Sequence, residues 1–181
     1  MQELKETEFK DLFKEENIGE QKFVRDCQID TDLEMHIPDD YVNNINERLA
    51  LYTELDSIEE EEKLQKFKKN LVDRFGPLPS SVTELFYAVR LRWVAKKLGF
   101  ERIVFKNDKL RSYFTSNQES PYYQSALFTN IIRYPQSQPK KAHFKQTSKH
   151  FLMVMDNIKS MKAARQALLE LHIFAGGTAT V

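Results

Sequence analysis

Residues 32–79, DLEMHIPDDYVNNINERLALYTELDSIEEEEKLQKFKKNLVDRFGPLP, constrain the fold more than any other stretch, because they end on a stop that no helix passes. Gly76 supplies the left-handed residue that commonly closes a helix, and Pro77 forbids continuation. Read back from that stop, Leu64, Phe67, Leu71 and Phe75 recur at helical spacing and predict one buried stripe. Ser57 and the acidic run 59–62 open this helix as a solvated first turn. Upstream, Ile29, Leu33, Met35 and Ile37 share one alternating face, which predicts an extended segment over 23–37. Pro38 ends it, and Asp39 and Asp40 stand where an N-cap is wanted. The helix that follows is expected to bury Val42, Ile45, Leu49 and Tyr52.

Beyond Pro79, Ser81-Val82-Thr83-Glu84 has the form of a capping box. It opens a third helix reaching about Leu98, with Leu85, Val89, Trp93 and Leu98 inward and Gly99 at its end. Strands are predicted over 102–106 and 110–114, joined by an Asn107-Asp108 hairpin turn. Ser120-Pro121 starts a helix carrying Tyr123, Leu127 and Ile131, which ends near Tyr134-Pro135, and 136–139 is a loop. Residues 143–146 and 151–155 read as a second pair of strands. Asp156 or Asn157 then caps a last helix with Ala164, Leu168 and Leu171 inward. The expected class is α+β: a small mixed or antiparallel sheet of about five strands packed with four or five helices, without internal repeat.

Hydrophobic content of 41% supports a core, and formal net charge is zero, but charge is unevenly spread. Residues 1–75 carry 21 acidic and 11 basic side chains; residues 76–181 carry 6 and 16. Such polarity fits two faces that meet different partners or each other, and equally fits solvated helix faces that differ in sign. Cys27 is the only cysteine, so no internal disulfide is possible and a reducing, cytoplasmic setting is expected. No apolar run approaches the roughly 20 residues that span a bilayer, so no membrane partner is expected. The first ten residues, MQELKETEFK, are acidic and amphipathic, unlike a signal peptide. Leu4, Phe9, Leu12 and Phe13 predict a helix over 1–16, and residues 1–22 read as a linker helix left from something upstream. Residues 23–181 are then the domain itself.

Motifs for catalysis are missing. The paired glycines Gly176-Gly177 precede no lysine, which argues against a P-loop. The histidines at 36, 143, 150 and 172 lack ligand spacing and have no paired cysteines, which points away from zinc. Cys27 lies beside Asp26 and near Asp30, whose charge raises a thiol pKa. No G-x-S-x-G nucleophile motif is present, and neither catalytic residue nor cofactor is expected in this chain. Two binding candidates remain. One is Lys140, Lys141, Lys145 and Lys149 around Tyr134 and Phe144, a pattern that suits a nucleic-acid groove, although a polar loop beside a strand with solvent-facing lysines accounts for it more simply. The other is the end of the second helix, where Leu71 and Phe75 turn inward and leave Asn70, Asp73 and Arg74 outward. A solvated helix end, with Arg74 near the negative pole of the dipole, accounts for that pattern as well.

DTDLEMHIPDDYVNNINERLALYTEL, the LVDRFGPLP stop and VRLRWVAKKLGF together resemble the C-terminal (TRCF) domain of bacterial transcription-repair coupling factors. The likeness is dense from about Asp30 to Phe100 and looser elsewhere. It implies that residues 1–22 are the tail of a preceding translocase module. It also implies a regulatory, non-catalytic role inside an ATP-dependent DNA translocase that displaces stalled RNA polymerase and recruits nucleotide-excision repair, with ATP and Mg held by motor modules elsewhere. In the family this domain packs on an N-terminal UvrB-like module and hides the surface that captures UvrA. Asp73 and Arg74 match the family's polar contact, whereas Asn70 stands where the best-studied member has an acidic residue. The competing expectation is an accessory domain that contacts nucleic acid through the basic C-terminal half.

Overall fold

The helix before Gly99 buries side chains around most of its circumference, which only a position between two packed units satisfies. In the computed structural model, which describes residues 22–178, that helix is α3 (Ser80–Leu98). It follows β1 (Gln28–Thr31), α1 (Ile45–Ser57) and α2 (Glu61–Phe75). After it come β2 (Phe100–Lys106), β3 (Lys109–Phe114), a 3-10 turn (Pro121–Gln124) and α4 (Ala126–Ser137). β4 (His143–Gln146), β5 (Phe151–Met155) and α5 (Met161–Phe174) complete the order. The helix expected over 1–16 lies outside the described residues.

The fold is α+β, as expected, with one mixed sheet in the order β1-β2-β3-β5-β4. β1 runs parallel to β2, and the other neighbours are antiparallel. A parallel pair needs a long crossover, and α1, α2 and α3 supply it. The β2–β3 hairpin closes on Asn107 and Asp108, both with positive φ (54° and 59°), the geometry of the two-residue turn their identities predict.

Two cores result, with α3 as their common wall. Val82, Phe86, Val89 and Trp93 pack with Leu51 and Leu55 of α1 and with Leu64, Phe67 and Leu71 of α2. Ala88, Leu91, Val94, Ala95 and Leu98 pack with Ile103, Phe105, Leu110, Phe114, Met153 and Met155 of the sheet and with Ala164, Leu168 and Leu171 of α5. The inward residues predicted for α5 are thus the observed ones.

Several local expectations are corrected. The extended segment 23–37 contracts to β1; Leu33 and Met35 pack at the margin of the sheet core, while Ile37 is buried with the helices. Residues 38–42 form a turn on the Pro38 carbonyl, which accepts from Tyr41 N (3.1 Å) and Val42 N (3.0 Å). The cap of α1 is therefore Asn44, whose side chain accepts from Glu47 N at 3.1 Å, and not Asp39 or Asp40. Ile45 and Leu49 are 62% and 58% exposed, contrary to the predicted stripe. Ile45/Leu49 and Leu51/Leu55 are rival i, i+4 pairs, and packing on α2 and α3 selects the second.

The capping box does not form. Pro79 is the N-cap of α3 and its carbonyl accepts from Val82 N and Thr83 N, so Ser81 lies inside the helix, buried. Pro135 does not end α4, which continues to Ser137; proline's φ is already helical and its ring removes only one ladder bond, close to the helix end. α5 is capped by Ser160, which accepts from Ala163 N at 3.0 Å, and not by Asp156 or Asn157. Asn157 is left-handed (φ 60°), and the next amide donates to Asp108 O at 2.9 Å.

Candidate partner-binding site

α2 uses one face for the core, burying Leu64, Phe67 and Leu71. Its other side ends in Asn70, Asp73 and Arg74, all exposed, as their helical phase predicts. The helix then stops at Gly76 (φ 91°), whose amide donates to Val72 O at 2.9 Å. Tyr41 holds this stop in place. Its hydroxyl donates to Gly76 O at 2.7 Å, lies 3.4 Å from Leu71 O, and its ring sits 5.8 Å from that of Phe75. Burial raises the Tyr41 pKa, so the hydroxyl remains a donor at neutral pH. Sequence reasoning assigned Tyr41 no task; a lone tyrosine after a proline break was the available signal, without any indication of its partner.

The three outward residues differ in freedom. Arg74 pairs with Glu47 of α1, and its guanidinium lies 4.7 Å over the Phe75 ring. The side chains of Asp73 and Asn70 make no hydrogen bond or ion pair to any described residue. Together they rim a cleft of about 210 Å³ whose far side is Leu51 and Glu54 of α1. A polar contact here is exchangeable, since exposed ion pairs contribute only about 0–1 kcal/mol each.

The opposite end of the α1–α2 pair is fastened to α3. Asp56 meets Arg92 at 3.2 Å, Glu59 meets Lys96 at 3.5 Å and Glu61 meets Arg90 at 2.7 Å. Between them Trp93 Nε1 donates to Ile58 O at 2.9 Å. The hydrogen bonds from Arg90 hold the Glu61 carboxyl below its usual range. Glu59 and Glu61 are thus fastenings rather than only a solvated first turn. Their basic partners lie 37 and 29 positions away, beyond the reach of any periodicity argument.

The lysine-rich half is arranged otherwise. Lys140, Lys141, Lys145 and Lys149 are exposed, but Lys141 pairs with Glu170 at 3.5 Å, Lys145 lies on edge strand β4 and Lys149 in the β4–β5 turn. Tyr134 is buried, and the Phe144 ring packs 5.2 Å from Phe151 and 6.2 Å from Phe114. Neither ring stands free beside the lysines. Among the described residues no cluster of three or more His, Cys, Asp or Glu could hold a metal ion, and no helix is long and apolar enough to cross a membrane.

Cys27 is buried against the sheet core, and burial first, then Asp26, pushes its thiol up to about 12 from 9.0. Above pH 9 the unfolded thiol ionises while the folded one does not, so this group withdraws stability as pH rises from about 9 toward 12. At pH 8 the folded thiol is expected to react with a disulfide reagent about a thousandfold or more slower than in urea. Comparable rates in the two states would overturn this placement.

The TRCF domain family matches residues 31–125, just over half of the chain, from the end of β1 through the candidate site to the start of α4. The chain belongs to the TRCF domain family. The transcription-repair-coupling factor of Rickettsia bellii is 34% identical over 93 residues, covering 51% of this chain and 8% of that protein. The Escherichia coli K12 transcription-repair-coupling factor is 39% identical over 67 residues, covering 37% of this chain and 6% of that protein. The chain thus corresponds to less than a tenth of the length of these relatives. The crystal structure of a C-terminal domain of transcription-repair coupling factor has the same fold, with a TM-score of 0.63 at 18% identity. It covers 81% of this chain and 93% of that one. The shared fold therefore extends beyond the matched stretch.

Proposed function

We propose that this TRCF domain is a non-catalytic regulatory module that represses its parent through an intramolecular contact. In this reading the parent is a cytoplasmic, ATP-dependent DNA translocase that displaces stalled RNA polymerase, and ATP and Mg belong to its motor modules. The exposed end of α2 docks on an N-terminal UvrB-like module and covers the surface that would capture UvrA. The observation that carries the reading is the outward cluster Asn70, Asp73 and Arg74 on a helix whose opposite face is consumed by the core. Asp73 and Asn70 offer polar groups that no described residue engages, and Arg74 exchanges Glu47 for an acidic partner at small cost because that pair is exposed. Such a contact is specific without being permanent.

The test is double charge reversal, Asp73→Arg with Arg74→Glu, in the parent protein. Capture of purified UvrA is expected to rise about tenfold, the equivalent of roughly 1.4 kcal/mol of lost masking. The thermal midpoint is expected to stay within a few degrees, since both side chains are exposed. Unchanged UvrA capture by the folded variant would show that these residues are not the latch.

A further inference from the structure

The sheet has a second face that no core cluster uses. In the cross-strand register, one outward row runs Asp30, Val104, Arg111, Val154 and His143. The next runs Gln28, Arg102, Tyr113, Leu152 and Lys145. Leu152 and Val154, on this face, are buried yet belong to neither core. The helical side chains pack on the other face, with Ile103, Leu110, Phe114, Met153 and Met155.

The chemistry of this open face is cationic with a ring at its middle. Arg111 is half-buried on the central strand β3 and makes no side-chain hydrogen bond or ion pair with any described residue. Its guanidinium has no acceptor among the described residues and keeps its donors for an anionic partner. Next to it Tyr113 is likewise partly buried, with Arg102 5.7 Å over its ring and His150 edge-on at 5.4 Å. Lys145 completes the row at the exposed edge and pairs with no described residue. Among the described residues, the acidic groups on this face stand at its margins: Asp30 on β1 engages Arg102 at 2.7 Å, and Asp156 after β5 engages Lys109 and His143.

We infer that the sheet face turned away from the described helices, centred on Arg111, Tyr113 and Lys145, binds single-stranded nucleic acid. A flat sheet with an aromatic residue at its centre presents a surface on which a base stacks, while flanking guanidinium and ammonium groups take the phosphates. Charge complementarity identifies the occupant as a polyanion, and the Tyr113 ring with its Arg102 neighbour favours nucleotides over an acidic peptide. This site differs from the lysine cluster expected from the sequence: it shares Lys145 and replaces the packed rings of Tyr134 and Phe144 with Tyr113. It also does not depend on the latch, which lies at the end of α2.

The experiment is fluorescence anisotropy of labelled dT20 titrated with the full 181-residue chain at several salt concentrations. About three phosphate contacts give a slope near −2 in log affinity against log salt. Arg111→Gln with Lys145→Gln is expected to bring the slope to about −0.7 and to weaken binding about tenfold or more at low salt. Tyr113→Leu is expected to weaken binding roughly tenfold while leaving the slope unchanged, because it removes stacking and not charge. Lys140→Gln with Lys141→Gln, off this face, leaves both quantities unchanged. Thermal melts identify folded variants, and Tyr113→Leu decides the question should the charge variant not fold. Absence of saturable binding, wild-type affinity in Tyr113→Leu, or equal displacement of dT20 by a poly-glutamate peptide would overturn the assignment, the last in favour of an acidic protein partner.

Discussion

Gly99→Ala is expected to destabilise the domain by about 3–4 kcal/mol, lowering its melting temperature by roughly 10 °C. Two costs combine. Gly99 ends α3 in the left-handed region (φ 85°, ψ 17°), where any other L-residue is strained by about 1–2 kcal/mol. A Cβ built there also overlaps carbons of the Tyr122 ring. That ring has nowhere to retreat: it is fully buried, its hydroxyl donates to Leu98 O at 2.7 Å, and Phe23, Phe114 and Phe128 surround it. Overlap in a close-packed core costs a further 1–3 kcal/mol or so. The two causes separate in a double-mutant cycle. In a Tyr122→Ala background only the strain of about 1–2 kcal/mol should remain. An equal cost of Gly99→Ala in both backgrounds, measured by urea unfolding, would rule out the overlap.

Trp93→Ala should cost about 3–5 kcal/mol, the range for deleting a large buried aromatic side chain. Trp93 is 5% exposed and belongs to the helical core, where it faces α1 and α2. Its indole N–H satisfies the Ile58 carbonyl in the α1–α2 connection, and truncation leaves that acceptor unpaired. The neighbouring pairs from Arg90, Arg92 and Lys96 all grip the same connection. Loss of Trp93 should therefore loosen α1 and α2 before it loosens the sheet. Hydrogen exchange is expected to show reduced protection over 45–75 with the amides of β2, β3 and β5 still protected at low denaturant. Trp93→Phe, which keeps most of the ring volume, should cost roughly 1–2 kcal/mol. Uniform deprotection of both cores would mean that the molecule opens as one unit, and the two-core description would then have no energetic meaning.

Both effects concern contacts that pass through α3, and these are where sequence reasoning reached least far. The stripe Leu64, Phe67, Leu71 and Phe75 was legible because α2 has a single packed side, so a period of 3.6 maps directly onto burial. The hairpin at Asn107-Asp108 was legible because two left-handed residues in a row admit few side chains. α1 was misread because two apolar pairs compete within it, and only its neighbours decide which turns inward. α3 is apolar on both sides, so periodicity indicated that it is buried but not that it separates two cores.

The candidate partner site shows the same division. The outward phase of Asn70, Asp73 and Arg74 follows from the helix alone. The pairing of Arg74 with Glu47, and the anchoring of Gly76 by Tyr41, depend on residues 27 and 35 positions away. The sheet-face site was less visible still. Arg102, Arg111, Tyr113 and Lys145 come from three strands, and only strand order and register make them neighbours.

What this chain determines by itself is local: where helices and strands form, where Gly76-Pro77 and Gly99 stop them, and which side of α2 is wet. These follow from backbone sterics and from the burial of one face at a time. The tertiary structure alone decided the parallel pairing of β1 with β2, the sharing of α3 between two cores, and the face of α1 that is buried. It also placed Arg111, which pairs with no described residue, beside Tyr113 on one face of the sheet. Each of these depends on which distant surfaces meet, and in a sequence of this length many pairings satisfy the same local pattern.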